Sequence, residues 1–484
     1  MLVNKFLKYK LFAAMSLLNL PQETLLEIVE YVGTDDPSFS EKFVSCTNWL
    51  SALCSTCKAL NHIVQPVLRA KLCVGGDSCS PNLFTAVRSF LEIPEFAALV
   101  KNLDLPMWNE DQLDKLKPHG VAALFNEKFK QYGITHQQLK LLKIVPDVTD
   151  LADMEMKGEG EDAGEGEDAG EGEDAGEGED AGEDGDEDDD DYGSDDGNGE
   201  EFEEELARAL CEGAKLLAIL SCPNATRISM EINSPPLQVK HPITLSCLTE
   251  LEFRHWDTEF NAMIKGSFRW IFESAPNLKK LTGIMVGRIS PNITHAGLQT
   301  IDLSMSELEP QAWQCIAQNF PSLHSLQFEA GGASVLLGDE TTPAQVVNLL
   351  EPCYKTLKSL SLDWSTSDLE PDDDAGQYYI SSFADFTALE TLCIGGDGLA
   401  GIDRINGDFY RRLLPPNIQR VCLRFGGRPK WNLQSLASVA ATSFPSLHTV
   451  TLQSSEEQDG GILASLFKRE GVTLTYTSEY SVTA

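Results

Sequence analysis

Phe320-Pro321-Ser322-Leu323-His324-Ser325-Leu326-Gln327-Phe328 and Phe444-Pro445-Ser446-Leu447-His448-Thr449-Val450-Thr451-Leu452 share their first five residue types and the same apolar spacing. The common pattern, Pro-x-Leu-x-x-Leu-x-Leu, decides the fold class. It recurs as Leu248/Leu251/Phe253, Leu298/Ile301/Leu303, Leu357/Leu360/Leu362, Leu389/Leu392/Ile394 and Ile418/Val421/Leu423. Leu278/Leu281 and Ile228/Met230 match in part, and Val100/Leu103/Leu105 is an early member. From Leu248 onward the units start about 20 to 34 residues apart, a solenoid period with uneven connections.

The last apolar positions of each unit alternate with polar ones, which predicts a half-buried strand. Helical spacing fills the intervals: Trp313, Ile316, Ala317 and Phe320; Leu433, Leu436, Ala440 and Phe444; and 262–275 with Phe268, Ile271 and Phe272. One strand and one helix per unit, stacked in parallel, predict an α/β solenoid with one parallel sheet. An ordinary α/β domain is the other arrangement this alternation permits. The polar residues between the apolar positions then share the concave face. They are Glu250, Glu252 and Arg254; Thr300, Asp302 and Ser304; Ser325, Gln327 and Glu329; Ser359, Ser361 and Asp363; Arg420, Cys422 and Arg424; and Thr449, Thr451 and Gln453. Arg420 and Arg424 form the one basic row and are the candidate target-binding pair, since paired guanidinium groups grip carboxylate or phosphate. A merely solvated strand face is the competing reading for any single row, and the arginine pair could instead neutralise nearby acidic rows such as Asp363.

Near the N-terminus Leu20-Pro21-Gln22-Glu23-Thr24-Leu25-Leu26-Glu27-Ile28-Val29 reads as a short amphipathic helix. Pro21 suits its first turn, and Leu25, Ile28, Val29 and Val32 fall on one stripe. Leu50, Leu53, Cys57 and Leu60 mark a second such face, and Pro66 opens another turn. Short helices over about 50 residues bury little core and need a partner surface.

These stretches resemble the F-box motif, with Leu-Pro-x-Glu-x-Leu-Leu-x-Ile-Val at its start and Leu-x-x-Leu-Cys-x-x-Cys-Lys-x-Leu further on. The interval Gly33 to Asn48 is longer than the family pattern. The repeats resemble a leucine-rich-repeat domain, although the Asn or Cys usual in that repeat's turn is absent and Leu303 is followed by Ser-Met-Ser. Together they resemble the substrate receptors of SCF ubiquitin ligases. The resemblance implies a three-helix F-box docked on a Skp-family adaptor, and through it on a cullin scaffold, by Leu20, Pro21, Leu25, Ile28, Leu53 and Leu60. It implies repeats that hold an unknown protein target, and a receptor that positions without catalysing. A repeat scaffold bound to the adaptor without ubiquitin transfer is the alternative. The boundaries that follow are 1–16 for an extension, 17–72 for the F-box, and 73–152 for a helical linker and first repeat. An acidic insert then occupies 153–205 and the repeat domain 206–484.

The net charge of −38 is concentrated: 158–205 holds 27 carboxylates and no Lys or Arg, leaving −11 elsewhere. Gly-Glu-Gly-Glu-Asp-Ala repeats with no aliphatic or aromatic residue larger than Ala over about 30 residues have no core to form, so the insert is expected to be disordered. An electrostatic arm for a basic partner is the functional reading of that insert, and a slippage-prone surface loop the bland one. The mildly acidic remainder argues against binding nucleic acid or anionic lipid. No apolar run reaches membrane-spanning length.

Lys5, Lys8 and Lys10 before Leu11-Phe12-Ala13-Ala14 could pass for a weak signal or transit peptide, but the run merges into the motif at Leu17. Met15 as the natural start is the other reading. The 12 scattered cysteines, most in apolar patterns, point to a reducing compartment, cytoplasmic and/or nuclear. Cys54 and Cys57 with Cys73 and Cys79 have poor spacing for zinc, and no metal or cofactor is expected. Gly-x-Ser-x-Gly, His-Glu-x-x-His and Walker patterns are absent, and the eight histidines are dispersed, so no enzymatic activity is expected.

Overall fold

The computed structural model describes residues 64–66, 70–73, 80–105, 211–232, 243–255, 262–332, 341–364, 378–395, 399, 406–425, 432–454 and 461–477. All the described strands belong to one compact unit, 1–112 with 212–484; the second unit, 113–211, lies outside the described residues apart from Cys211. The expected F-box residues Leu20, Pro21, Leu25, Ile28, Leu53 and Leu60, and the acidic insert, also lie outside them.

The chain is α/β. A 12-stranded parallel sheet contains β1 (Lys71–Cys73), β2 (Asn102–Leu105), β3 (Arg227–Glu231), β4 (Glu250–Arg254), β6 (Lys280–Ile284), β8 (Thr300–Ser306), β9 (Ser325–Ala330), β10 (Ser359–Asp363), β11 (Thr391–Gly395), β12 (Arg420–Phe425), β13 (Thr449–Ser454) and β14 (Thr473–Thr477). Their spatial order is their chain order. β2 pairs directly with β3, Leu103 opposite Ile228, so the long interval between them leaves the sheet continuous.

Where the proline signature occurs, at Pro276-Asn277-Leu278, Pro321-Ser322-Leu323, Pro416-Asn417-Ile418 and Pro445-Ser446-Leu447, it is the turn that enters the strand. Leu323 N–H donates to Phe320 O at 3.0 Å, closing a β-turn with Pro321 at the position whose φ proline presets. The same turn closes at Ala275–Leu278 (3.0 Å), Pro415–Ile418 (3.2 Å) and Phe444–Leu447 (2.9 Å). The residue after it stitches adjacent units together. His324 O accepts from both Lys358 N (2.8 Å) and Ser359 N (3.0 Å), and Lys358 O accepts from both Glu390 N (2.9 Å) and Thr391 N (3.0 Å). From Lys101 to Gln419 every such carbonyl accepts two N–H groups from the next unit.

Two apolar rows run across the sheet and form the core. Ile228, Leu251, Leu281, Ile301, Leu326, Leu360, Leu392, Val421 and Val450 stand in register in one row. Met230, Phe253, Leu303, Phe328, Leu362, Ile394, Leu423 and Leu452 make the other, and all are at most 4% exposed. At roughly 25 cal/mol per Å² of apolar area, this continuous burial is the main stabilising term. Gly283 interrupts the second row because a Cβ there would meet Leu303 Cδ2 at 2.6 Å and Val286 Cγ2 at 2.9 Å.

Helices cover the core side. Pro310–Asn319 starts on proline and buries Trp313, Ile316 and Ala317, with Trp313 edge-on to Phe328 at 4.8 Å. Thr342 and Gln345 form a capping box for Pro343–Leu349 (3.3 and 2.9 Å). Asn406 and Asn432 cap Gly407–Leu413 and Leu433–Ser443.

One expected helix is corrected. The stretch 262–275 is a strand, β5 (Ala262–Ile264), then a 3-10 turn Gly266–Phe268 and a short helix Arg269–Ser274. Ala262 and Ile264 are both buried with Met263 between them, a period of two inside a longer apolar pattern. β5 pairs in parallel with β7 (Val286–Ile289) as a second, two-stranded sheet. The chain reaches β7 by turning at Met285, whose φ is 56°. β1 and β14 were not anticipated, because no Pro-x-Leu turn precedes either.

Candidate functional site

The residues between the apolar rows share the opposite, polar face of the sheet. One in-register row is Arg227, Glu250, Lys280, Thr300, Ser325, Ser359, Thr391, Arg420, Thr449 and Thr473. The next contains Asp104, Ser229, Glu252, Thr282, Asp302, Gln327, Ser361, Cys393, Cys422, Thr451 and Thr475. A third includes Glu329, Asp363, Gly395, Arg424 and Gln453. All the candidate residues read from strand alternation therefore lie on one face. Sequence reasoning left out β11, where the same alternation assigns Thr391, Cys393 and Gly395, and it left out Arg227 and Lys280.

At the N-terminal end of this face the charges are mutually engaged. Arg227 Nη2 donates to Glu252 Oε2 at 2.5 Å, and Ser229 Oγ donates to Glu252 Oε1 at 3.1 Å. Burial alone would raise the Glu252 carboxyl, but the hydrogen bond and charge of Arg227 outweigh it and hold it below the usual range. Arg254 on β4 reaches over β3 to Asp104 on β2. In the middle, Lys280 Nζ lies 3.2 Å from Asp302 Oδ2.

The two arginines of the expected target pair emerge on the same face of β12 but in different states. Arg424 donates from Nε to Gln453 Oε1 at 2.7 Å and from Nη1 to Asp363 Oδ2 at 3.1 Å. Its side chain keeps 21% exposure against 3% for Asp363. Its charge is spent largely within the sheet. Arg420 is exposed, and among the described residues its side chain donates one hydrogen bond, to a neutral group, Thr391 Oγ1 at 3.0 Å.

Next to this pair Glu329 has its pKa raised, first by burial and then by Asp363 and Asp302, with Arg424 opposing. Cys393 and Cys422 stand opposite one another on β11 and β12, between the two arginines. Among the described residues no group of three or more His, Cys, Asp or Glu side chains is arranged to hold a metal ion. None of the described helices is long and apolar enough to cross a membrane.

The arrangement suits recognition by hydrogen bonds and charge along an open, ordered strip: hydroxyls, amides and paired ions at the strand spacing, with Arg420 as the accessible cation. No protein-family model matches the chain, and no curated protein matches its sequence.

Proposed function

We propose that this chain is the substrate-recognition subunit of an SCF-type ubiquitin ligase. The observation that carries the reading is the combination, in one chain, of the Leu20-Pro21-x-Glu23-x-Leu25-Leu26 motif with a sheet whose strands follow chain order and present one continuous polar face. In this reading the N-terminal helices are an F-box. Leu20, Pro21, Leu25, Ile28, Leu53 and Leu60 dock on a Skp-family adaptor, which a cullin scaffold holds. The strand units are degenerate leucine-rich repeats, and their polar face holds a protein target so that its lysines are within reach of a ubiquitin-loaded enzyme. Such an assembly works in the cytoplasm or nucleus. The receptor contributes position, not chemistry. Arg420 is the favoured charged contact for an acidic or phosphorylated motif on that target, with Arg424 shaping the surface beside it.

The test is co-purification from cells of the full chain and of the double variant Leu20→Ala/Pro21→Ala, with circular dichroism as a folding check. The expected result is adaptor and cullin together on the wild type and neither on the folded variant, because a few anchors carry most interface energy. Adaptor without cullin would favour the alternative, a repeat scaffold that does not transfer ubiquitin. Adaptor retained at wild-type level by the folded variant sinks the docking surface. For the target site, Arg420→Glu in an adaptor-binding background should lose trapped targets.

A further inference from the structure

We propose that Cys393 and Cys422 are a thiol pair that a two-electron oxidant of the peroxide class closes to a reversible disulfide, joining β11 to β12 in the middle of the polar face. The proposal starts from register. Cys393 is the direct partner of Cys422 in the parallel ladder, between Leu392/Val421 and Ile394/Leu423, whose side chains point into the core. Both thiols therefore emerge on the same side of adjacent strands. Paired residues on neighbouring strands lie about 4.8 Å apart, inside the roughly 4.4–6.8 Å window of Cα separations that a disulfide bridges. The Cβ atoms must then close by about 1 Å, to roughly 3.8 Å. A bond made under that strain is easily reduced again, the behaviour of a regulatory disulfide and not of a structural one.

Other described cysteines are placed differently. Cys211, Cys222, Cys315 and Cys353 are buried, none has a cysteine opposite it in the sheet, and burial pushes the Cys222 thiol up to about 12 and that of Cys353 to about 11. Cys247 is half-buried against Asn224. In the proposed pair Cys422 is half-buried and Cys393 is 9% exposed. The neighbouring Cys422 thiol lowers the Cys393 pKa, burial opposes it and the nearby Arg424 charge assists, so Cys393 is the member that favours the thiolate while Cys422 keeps its proton.

The chemistry balances with one peroxide. The Cys393 thiolate attacks a peroxide oxygen, the O–O bond breaks, and hydroxide leaves as water after taking a proton; Cys393 is then a sulfenic acid. Cys422 gives up its proton and attacks that sulfur. The S–S bond forms, the S–O bond breaks and a second water leaves. Two thiols have lost two electrons, and peroxide has been reduced to two waters.

The pair sits between Arg420 and Arg424, with Cys393 two positions before Gly395, over which Arg424 meets Asp363. Its oxidation state therefore acts on the site proposed above for the target; that consequence, unlike the disulfide itself, rests on the proposed reading. The experiment treats the full chain with hydrogen peroxide, blocks free thiols with iodoacetamide and digests with trypsin without reduction. The expected product is peptide 421–424 joined to peptide 359–404, two hydrogens lighter than their sum, released by dithiothreitol and absent from Cys422→Ser.

In that variant the Cys393 sulfenic acid should persist long enough to be captured by dimedone, with circular dichroism unchanged. Recovery of both cysteines as alkylated thiols, at peroxide levels that oxidise any other cysteine, overturns the proposal. So does Cys393 appearing only in disulfides with other cysteines. Because no adaptor or target is present, the result stands apart from the ligase reading. If the joined peptide forms but oxidised protein captures targets as reduced protein does, the thiol pair stands and the target site fails.

Discussion

Arg424 on β12 meets Asp363 on β10 at 3.1 Å by reaching across the strand between them. The residue beneath the pair on β11 is Gly395, and its missing side chain is what lets the two approach. A Cβ there would lie 2.4 Å from Asp363 Oδ1 and 3.3 Å from Asp363 Cα. Arg254 and Asp104 repeat the device at the other end of the sheet, across β3, where the row holds the small residue Ser229. Each arginine ties three strands together instead of two.

Gly395→Ala should therefore displace the Asp363 carboxylate and cost about 1–3 kcal/mol, the usual penalty for overpacking. Arg424→Ala should cost roughly 1.5–3 kcal/mol, the range for losing a hydrogen bond to a charged group, because the Asp363 carboxylate that it engages is 3% exposed. Urea unfolding of the two variants measures both. If Gly395→Ala unfolds at the wild-type midpoint, the close approach is not a constraint.

Glu329→Gln should stabilise the fold. Glu329 stands opposite Asp363, and burial together with Asp363 and Asp302 raises its pKa above the ordinary 4.5. A carboxyl whose folded pKa is raised binds its proton more tightly in the native state. Its contribution is fully present below about pH 4.5 and is lost as pH rises through the folded value. Above that value the glutamine variant should gain up to about 1 kcal/mol, the scale of opposed like charges on neighbouring strands. Equal midpoints for wild type and variant at about pH 8 would count against the repulsion.

His295 should make stability fall with acid. Gly297 N–H donates to its Nδ1 at 3.2 Å, so Nε2 carries the proton and donates to Ala275 O at 2.9 Å. Burial, and then the charge of Lys279, lower its pKa below the ordinary 6.5, while the Ala275 bond partly opposes them. The neutral ring is favoured in the fold, so its contribution is present above pH 6.5 and is lost as pH falls through the folded value. His295→Gln should lose roughly 1–2 kcal/mol near pH 7.5 and show a shallower pH dependence. Parallel curves for the two proteins between about pH 5 and 7.5 would remove His295 as the source.

Replacing 158–200 by a short Gly/Ser linker should change the melting temperature by only a few degrees. β2 and β3 pair without that segment, and each halving of a flexible loop changes its closure free energy by only about 0.6 kcal/mol. A fall of many degrees, followed by differential scanning fluorimetry, would mean that the segment packs.

The repeat was legible in the sequence because it rests on local chemistry. Proline presets the turn, the leucine after it closes the hydrogen bond, and alternation sorts core from polar face. Ser325, Gln327 and Glu329, for example, were assignable to one face from spacing alone. What spacing does not carry is the partner of each polar residue. Strand alternation offered Asp363 as an acid the arginine pair could neutralise, but not that Arg424 alone reaches it across 61 residues, nor that a glycine in a third strand brings them together. The 262–275 stretch was misjudged because a three-residue strand offers too few alternations to compete with the helical spacing beyond it.

A family of asparagines was also overlooked. In three units an asparagine follows the turn proline and donates to a carbonyl of the preceding unit. Asn224 Nδ2 donates to Ala98 O at 2.9 Å, Asn277 to Ser246 O at 2.8 Å and Asn417 to Thr387 O at 3.3 Å. The Pro-Asn dipeptide was the available signal. Leu20, Pro21, Leu25, Ile28, Leu53 and Leu60, proposed to dock on an adaptor, fall outside the described part of the chain, and their reading stays with the motif.

The doubly accepting carbonyl before each strand has a consequence for how this domain tolerates changes of length. From β3 to β13 each main-sheet unit arrives with two N–H groups that its predecessor's carbonyl accepts, and offers one carbonyl to its successor. Excision from one entry turn to the equivalent turn of the next unit restores that connection, because donor and acceptor are backbone groups indifferent to side chain. A cut at any other phase strands two donors against a hydrophobic core. Gains and losses in this domain are therefore quantised: whole units, or free insertions between the end of one strand and the next entry turn, where the interval separating β2 from β3 already lies.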